Sequence, residues 1–235
     1  MAVRPVFIAC ASGPVFVRSH SVSFQWHAGM SQTQARKSII SLHEAVERQL
    51  GESKPLEIST KSEQELGVAL SAFNLRFTTR KYSQEITVES AYQASKVFEQ
   101  DRGPFTDILR ASSYDAKKDV RLKTSGHLTK FQFFGVDWPL SPRTAFYDWL
   151  YINALAKNPE QADAVLQFRA FTDIAFNPEK SLNCQARAAA LFVALRLRGK
   201  FTADLRDRDA FLDLLRRQSG WIQEDNSPLL AENLD

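Results

Sequence analysis

Val88-Glu89-Ser90-Ala91-Tyr92-Gln93-Ala94-Ser95-Lys96-Val97-Phe98 is where the 235-residue chain turns from mixed, strand-rich sequence to mainly helical sequence. Thr87 stands just before it as a cap, and the pattern carries a helix to about residue 100, where Gly103-Pro104 breaks it. On that helix Glu89, Tyr92 or Gln93, and Lys96 fall at i, i+3/i+4 and i+7, so they line one face. Glu89 sits in the first turn, where exposed backbone N–H groups favour a carboxylate. A carboxylate and an amine with an aromatic and an amide between them either serve as acid/base and nucleophile or form a solvated stripe. Spacing alone leaves both open.

Upstream, residues 4–9 are β-prone, Ala11-Ser12-Gly13-Pro14 is a turn cluster, and Val22, Phe24 and Trp26 alternate with polar residues. A helix follows from about Gln32. Ser31 and Gln34 have capping-box spacing, Ile39, Leu42, Val46 and Leu50 mark an apolar stripe, and Gly51 is a stop. Leu56 and Ile58 make a short strand, and residues 67–79 are apolar with mixed period. Downstream, residues 113–119 read as a short basic helix and residues 130–136 as extended chain. Ser141-Pro142 opens a long helix to Ala156, and Asn158-Pro159 opens another. Residues 182–197 are apolar on nearly every side, which suits a buried central helix, and Thr202 caps a last one to about Arg217.

Composition sets limits on function. Hydrophobic residues make up 44% and charged residues 24%, with seventeen Phe, four Trp and five Tyr against nine Gly and nine Pro. That balance describes a folded chain with an aromatic core, and it excludes low-complexity or collagen-like architecture. Two Cys, Cys10 and Cys184, cannot build a disulfide framework or a thiolate metal cluster, which points to a reducing compartment. No apolar run approaches the ~18 residues of a membrane span, and the opening Met-Ala-Val-Arg-Pro lacks a secretory pattern. The expectation is a cytoplasmic chain without a membrane partner. Net charge is +3, yet the final residues 218–235 hold Glu224, Asp225, Glu232 and Asp235 and no base. Residues 102–130 hold seven bases and three acids. A basic segment of this kind is either a solvated face or a surface for a polyanion such as DNA.

Several chemistries leave no trace. There is no phosphate-cradling Gly-rich loop, no Gly-x-Ser-x-Gly elbow and no His pair at metal-ligand spacing. His20, His27, His43 and His127 are scattered and read as surface or structural histidines, and Cys184 reads as a small apolar side chain. Neither a metal nor a cofactor is expected.

With Leu70-Ser71-Ala72-Phe73 before it, the opening stretch resembles the active-site helix of the NADAR superfamily, the YbiA-like N-glycosidases. The shared pattern is a Phe-containing segment, a variable β-turn region, and a helix with an early Glu and a Gln-x-x-Lys, here Gln93-Ala94-Ser95-Lys96. Thr172-Asp173, then Leu182-Asn183 and the apolar helix to Arg196, resemble the family's second signature, and the likeness covers about residues 67–200. Phe176-Asn177 stands where the family usually has Trp-Gly, and Gln185-Ala186 replaces a Leu-Gly. Residues 7–50 lie outside the minimal family domain. They resemble the subgroup of antitoxins that accompany DarT-type toxins, which attach ADP-ribose to guanine in DNA.

The resemblance implies an α+β fold, predominantly helical, with a small N-terminal β-containing extension (1–60), a catalytic domain (61–217) and an acidic tail (218–235). It implies a hydrolase that removes ADP-ribose from guanine, with a DarT-type toxin as functional partner and ADP-ribosylated DNA or nucleotide as substrate. Lys96 becomes the nucleophile that forms a Schiff base, and Glu89 the general acid/base. Asp173 and Asn183 become ribose and base contacts, with Gln93 lining the same site and Tyr92 or Phe176 stacking on a ring. Arg187, on an otherwise apolar helix, needs a ligand phosphate or a neighbouring carboxylate. Lys117, Lys118, Arg121 and Lys123 are expected on the DNA backbone. Bland readings stand beside these: Asn183 as a helix cap, Asp173 as a loop-structuring side chain, Phe176 as core. Two other functions remain open, a glycosidase of a small phosphorylated metabolite and a binding-only antitoxin whose acidic tail mimics nucleic acid.

Overall fold

The computed structural model describes residues 1–217 except 30, 53, 80–82, 180 and 182. The acidic tail therefore lies outside the described residues. The described residues divide into two compact units that interleave in sequence: Met1–Ser71 with Asn158–Thr202, and Ala72–Lys157 with residues 203–217.

The first unit is built on a four-stranded sheet with strand order β2-β1-β9-β3. Strands β1 (Ala2–Ala9) and β2 (Val17–Phe24) pair antiparallel along their length. Strand β9 (Ala170–Thr172) joins β1 through Phe7↔Phe171, and β3 (Leu56–Glu57) joins β9 in parallel. The N-terminal strands, expected as an extension, are thus part of this unit's own core. Alternation along β1 sends Val6 to one face and Phe7 to the other, and both are buried. On the Val6 side, Val22 and Phe24 pack with Ile39, Leu42, Ala45 and Val46 of helix α1 (Gln32–Leu50). Ser31 caps α1 by accepting from the Gln34 backbone N–H, and Gly51 ends it at φ +68°. Helix α8 (Gln185–Leu197) packs against β1 and β9, with every residue from Ala188 to Leu195 buried. Short helices α2 (Glu65–Ala69) and α7 (Pro159–Ala164) complete the unit. At Gly67 in α2 a Cβ would collide with the Glu57 carbonyl oxygen, so only glycine lets this helix lie against β3.

The second unit holds a hairpin of β4 (Arg76–Thr78) and β5 (Glu85–Thr87), helix α3 (Val88–Ala94), and an antiparallel meander of β6 (Lys96–Phe98), β7 (Leu128–Phe133) and β8 (Val136–Trp138). Helices α4 (Ser113–Lys118), α5 (Arg121–Thr124), α6 (Ala145–Leu155) and α9 (Arg208–Arg216) surround these. Its centre is aromatic. Phe131, Trp138 and Phe146 are fully or nearly buried, and Phe146 stacks on Phe131 at 4.8 Å between ring centroids.

Three helix boundaries differ from the sequence reading. The helix after Thr87 stops at Ala94 instead of running to residue 100, and Lys96 opens strand β6. The cause is tertiary: Lys96 pairs with Phe131 and Val97 with Lys130 across to β7, while the Ser95 hydroxyl donates to the Ala91 carbonyl and closes the last turn. The long helix begins at Ala145, because Ser141 to Thr144 form a turn before it. The last helix is capped by Asp207, whose carboxylate accepts from Asp209 and Ala210, and a 3-10 turn (Ala203–Arg206) occupies the place expected for its start.

Candidate functional site

Helix α3 is fixed at its start by a capping box. The Thr87 hydroxyl accepts from the Ser90 N–H, and the Ser90 hydroxyl accepts from the Thr87 N–H. Two further backbone bonds, Val88 N–H to Leu75 and Glu89 N–H to Ala72, tie the helix to the segment that carries Phe73. The two halves of the first signature are therefore joined through backbone. Ser113 of α4 links them again, donating to the Phe73 carbonyl and meeting the Thr87 hydroxyl at 2.8 Å.

Glu89 is buried at 6% exposure, an uncommon place for a carboxylate. Its Oε1 accepts from Gln93 Nε2 at 2.9 Å, one turn along the helix. The other end of that amide, Gln93 Oε1, is buried and has no hydrogen-bond partner among the described residues. A buried acceptor without a hydrogen bond costs on the order of 1–3 kcal/mol, which marks Gln93 Oε1 as a polar atom available to a donor. Lys96 Nζ lies 5.2 Å from the centre of the Tyr92 ring. Burial lowers its amine to about 8; the Glu89 charge opposes the fall, and the Lys117 charge adds to it. At about 8, roughly a tenth of the amine is neutral at pH 7, against well under ~0.1% for an ordinary lysine. Gly103 packs on the strand at this point: at φ +99°, a Cβ would strike the Lys96 carbonyl oxygen. Tyr92 is half-buried among Phe131, Phe146 and Tyr147, with Phe131 at 5.2 Å.

The expected DNA-contact residues do not share one environment. Arg121 is engaged by Asp107 at 2.6 Å and Asp119 at 2.7 Å, and its ring neighbour is Phe105. Lys117 stands over Phe73 at 5.2 Å and acts on Lys96, so it faces the amine site. Lys118 leans on Tyr114, and Lys123 is exposed.

The second signature lies in the first unit. Asp173 follows β9 and is buried at 8% exposure. Its Oδ1 accepts from the Ala175 and Phe176 N–H groups at 3.1 and 3.2 Å, so it does structure the loop, and Gln185 reaches it from α8. Burial first, and then the nearby Glu57 charge, raise its carboxyl to about 7. Phe176 is half-buried and meets Phe7 edge-on at 6.4 Å. Asn183 does not cap the helix; Cys184 holds the N-cap position and Asn183 precedes it. Arg187 is half-buried one turn into α8, close enough to act on the Cys184 thiol, which burial raises well above its ordinary value.

Glu57, which the sequence reading does not single out, and His43, which reads there as one of four scattered surface or structural histidines, complete this group. Glu57, at 1% exposure, accepts from the Thr172 hydroxyl at 2.6 Å and from the Ile174 N–H at 2.9 Å. His43 Nε2 meets the same Thr172 hydroxyl at 2.9 Å, and burial lowers its imidazole to about 4. The available signal was an acid inside the apolar run Pro55-Leu56-Glu57-Ile58. Among the described residues no group of His, Cys, Asp and Glu could hold a metal ion, and no helix is long and apolar enough to cross a membrane.

No curated protein matches the chain. A family model, described as DarT1-associated NADAR antitoxin, matches residues 2–225, a span that includes both signatures and the N-terminal strands. The chain therefore belongs to the DarT1-associated NADAR antitoxin family.

Proposed function

We propose that this protein is the enzymatic antitoxin of a DNA ADP-ribosyltransferase and removes ADP-ribose from guanine by cleaving the bond between the anomeric carbon and the base nitrogen. The observation that carries this reading is Lys96: an amine lowered to about 8, beside a buried Glu89 and against the Tyr92 ring. A lysine with so large a neutral fraction has the property required of an amine nucleophile. The Lys96 lone pair attacks the anomeric carbon. The carbon–nitrogen bond to guanine breaks, its electrons leave with the base nitrogen, and the Glu89 carboxylate takes a proton from the attacking amine and passes it to that nitrogen. The sugar then opens, its ring oxygen taking a proton, to leave a Schiff base on Lys96. Water adds to that carbon, and the carbon–lysine bond breaks to return ADP-ribose and the amine. The open acceptor on Gln93 suits a ribose hydroxyl or a guanine N–H. Asp173, Asn183 and Arg187 are assigned to the ligand through the family's second signature, and Tyr92 to ring contact. Lys117, Lys118 and Lys123 are assigned to phosphates.

The test is chemical trapping. Borohydride added during turnover of a guanine-ADP-ribosylated oligonucleotide reduces the Schiff base, and mass spectrometry should place the ADP-ribose adduct on Lys96. Lys96→Arg keeps the charge but not the nucleophile, since a guanidinium stays protonated. It should lose both trapping and turnover while still binding ADP-ribose. A partly active Lys96→Arg enzyme with no adduct would mean direct attack by water. An adduct on another lysine would move the nucleophile elsewhere. Binding of the toxin with no turnover on any substrate would leave an antitoxin that acts by complex formation alone.

A further inference from the structure

Glu57 encloses Asp173 without being its hydrogen-bond partner. Its strand runs parallel to β9, with Glu57 opposite Thr172, so its carboxylate reaches the neighbours of Asp173 on both sides. One oxygen takes the Thr172 hydroxyl and the other takes the Ile174 N–H. The backbone on either side of Asp173 is therefore clamped by a single buried acid. Two carboxyl groups in one buried place cannot both ionise without a large electrostatic cost.

We propose that Glu57 is a positioning residue for Asp173: it fixes the loop that carries Asp173 and, as the anionic member of a buried carboxyl pair, keeps a large protonated fraction of Asp173 up to neutral pH. The assignment of the charge follows the donors. Glu57 holds the Thr172 hydroxyl, the Ile174 N–H and a Ser59 side-chain bond, with Lys61 as the nearby cation. Asp173 holds two longer backbone bonds and the Gln185 amide. Burial raises both carboxyls, and the directions agree with a pair that shares one proton. The other titratable groups around the pair leave the assignment in place. His43 of α1 is neutral at pH 7, Cys184 is an un-ionised thiol, Arg187 of α8 acts on Cys184, and Arg4 of β1 is directed to the Ile174 carbonyl.

The consequence for recognition rests on the reading of Asp173 as a ligand contact. ADP-ribose carries two phosphate charges, and a buried carboxylate anion would repel it. A neutral carboxyl instead donates a hydrogen bond to a ribose hydroxyl or a phosphate oxygen.

The experiment is a pH titration of the full chain by carbon-13 NMR with labelled Asp and Glu carboxyls, using Asp173→Asn and Glu57→Gln to assign the two signals. In the parent, Asp173 should titrate near neutrality. Glu57→Gln keeps the shape and removes the charge, so the Asp173 midpoint should fall by at least ~1 pH unit. Glu57→Asp keeps a negative charge and should restore most of the difference. Because Glu57 ionises while Asp173 is still protonated, Asp173→Asn should leave the Glu57 midpoint in place and remove the inflection near neutrality that the Asp173 titration imposes on the Glu57 signal. That second arm reads the same pair if Glu57→Gln does not fold. A residue that only holds the loop would change thermal stability and leave the midpoints in place. Asp173 titrating below ~5 in the parent, an Asp173 midpoint that moves by less than ~0.3 in Glu57→Gln, or a Glu57 signal with no inflection as Asp173 titrates, overturns the proposal. Adding ADP-ribose then tests the ligand reading separately: a coupled pair whose Asp173 signal ignores ADP-ribose keeps the proposal and removes the recognition role.

Discussion

The two units each bury ionisable groups, and burial acts on them with opposite sign. In the second unit it strips the charge from a cation, lowering Lys96 to about 8 with Lys117 adding to the fall. In the first it keeps protons on acids, raising Asp173 to about 7 with Glu57 adding to the rise. Both shifts disfavour the charged form, and in both a like charge is placed to strengthen the effect. The difference lies in assembly. Glu89, Tyr92, Gln93 and Lys96 sit within eight consecutive residues. Glu57 and Thr172 meet across 115 positions, through a parallel strand pair only two residues long. A local arrangement can be read from spacing; a non-local one exists only after the sheet forms.

The largest effect that could break this comparison is at Glu89. Glu89→Gln should retain the helix, since the capping box does not use its side chain, and lower turnover about 10²-fold or more, the usual share of general acid–base catalysis. Steady-state rates on modified oligonucleotide check this, and near-parent turnover would return Glu89 to a purely structural role. A smaller effect belongs to Lys117. Lys96 must lose its proton to attack, so kcat/KM should rise as pH increases through about 8 and level off above it. Removing the neighbouring cation with Lys117→Met raises the Lys96 midpoint, which moves the rising limb to higher pH. A shift of about half a pH unit lowers kcat/KM at pH 7 roughly 3-fold relative to the variant's own alkaline plateau, while a lost phosphate contact lowers limb and plateau alike. An unmoved limb would deny Lys117 its electrostatic part.

The smallest effect concerns surface charge. Lys118→Glu with Lys123→Glu should weaken binding to modified DNA and reduce the slope of log affinity against log salt by about 1 to 2. Arg121 is left out of that test because Asp107 and Asp119 already hold it. Titrations at several salt concentrations check the slope. Equal losses on a modified mononucleotide would assign both lysines to the nucleotide site instead of a DNA track.

Legibility followed the range of each interaction. Helix α1 appears where Ser31, the Ile39-Leu42-Val46 stripe and Gly51 place it, because cap, stripe and stop are all local. Buried α8 also appears, since a sequence apolar on every side has no solvent face to present. Helix α3 ran too long in the reading because Val97 and Phe98 suit either period, and pairing with β7 settled them as strand. His43 was set aside as one scattered histidine; its meaning depends on Thr172, a residue 129 positions away.

By itself, then, the sequence determined the placement of Glu89, Tyr92 and Gln93 on one short helix, the buried character of α8 and the likeness to one family, because each depends on neighbours within a few turns or on motif order. Tertiary structure alone decided that Lys96 stands on a strand and not a helix face, that Arg121 is occupied by two carboxylates, and that Glu57 binds Thr172 and Ile174, the residues on either side of Asp173. Those outcomes are set by desolvation and strand pairing, and both arise only when distant segments exclude water together.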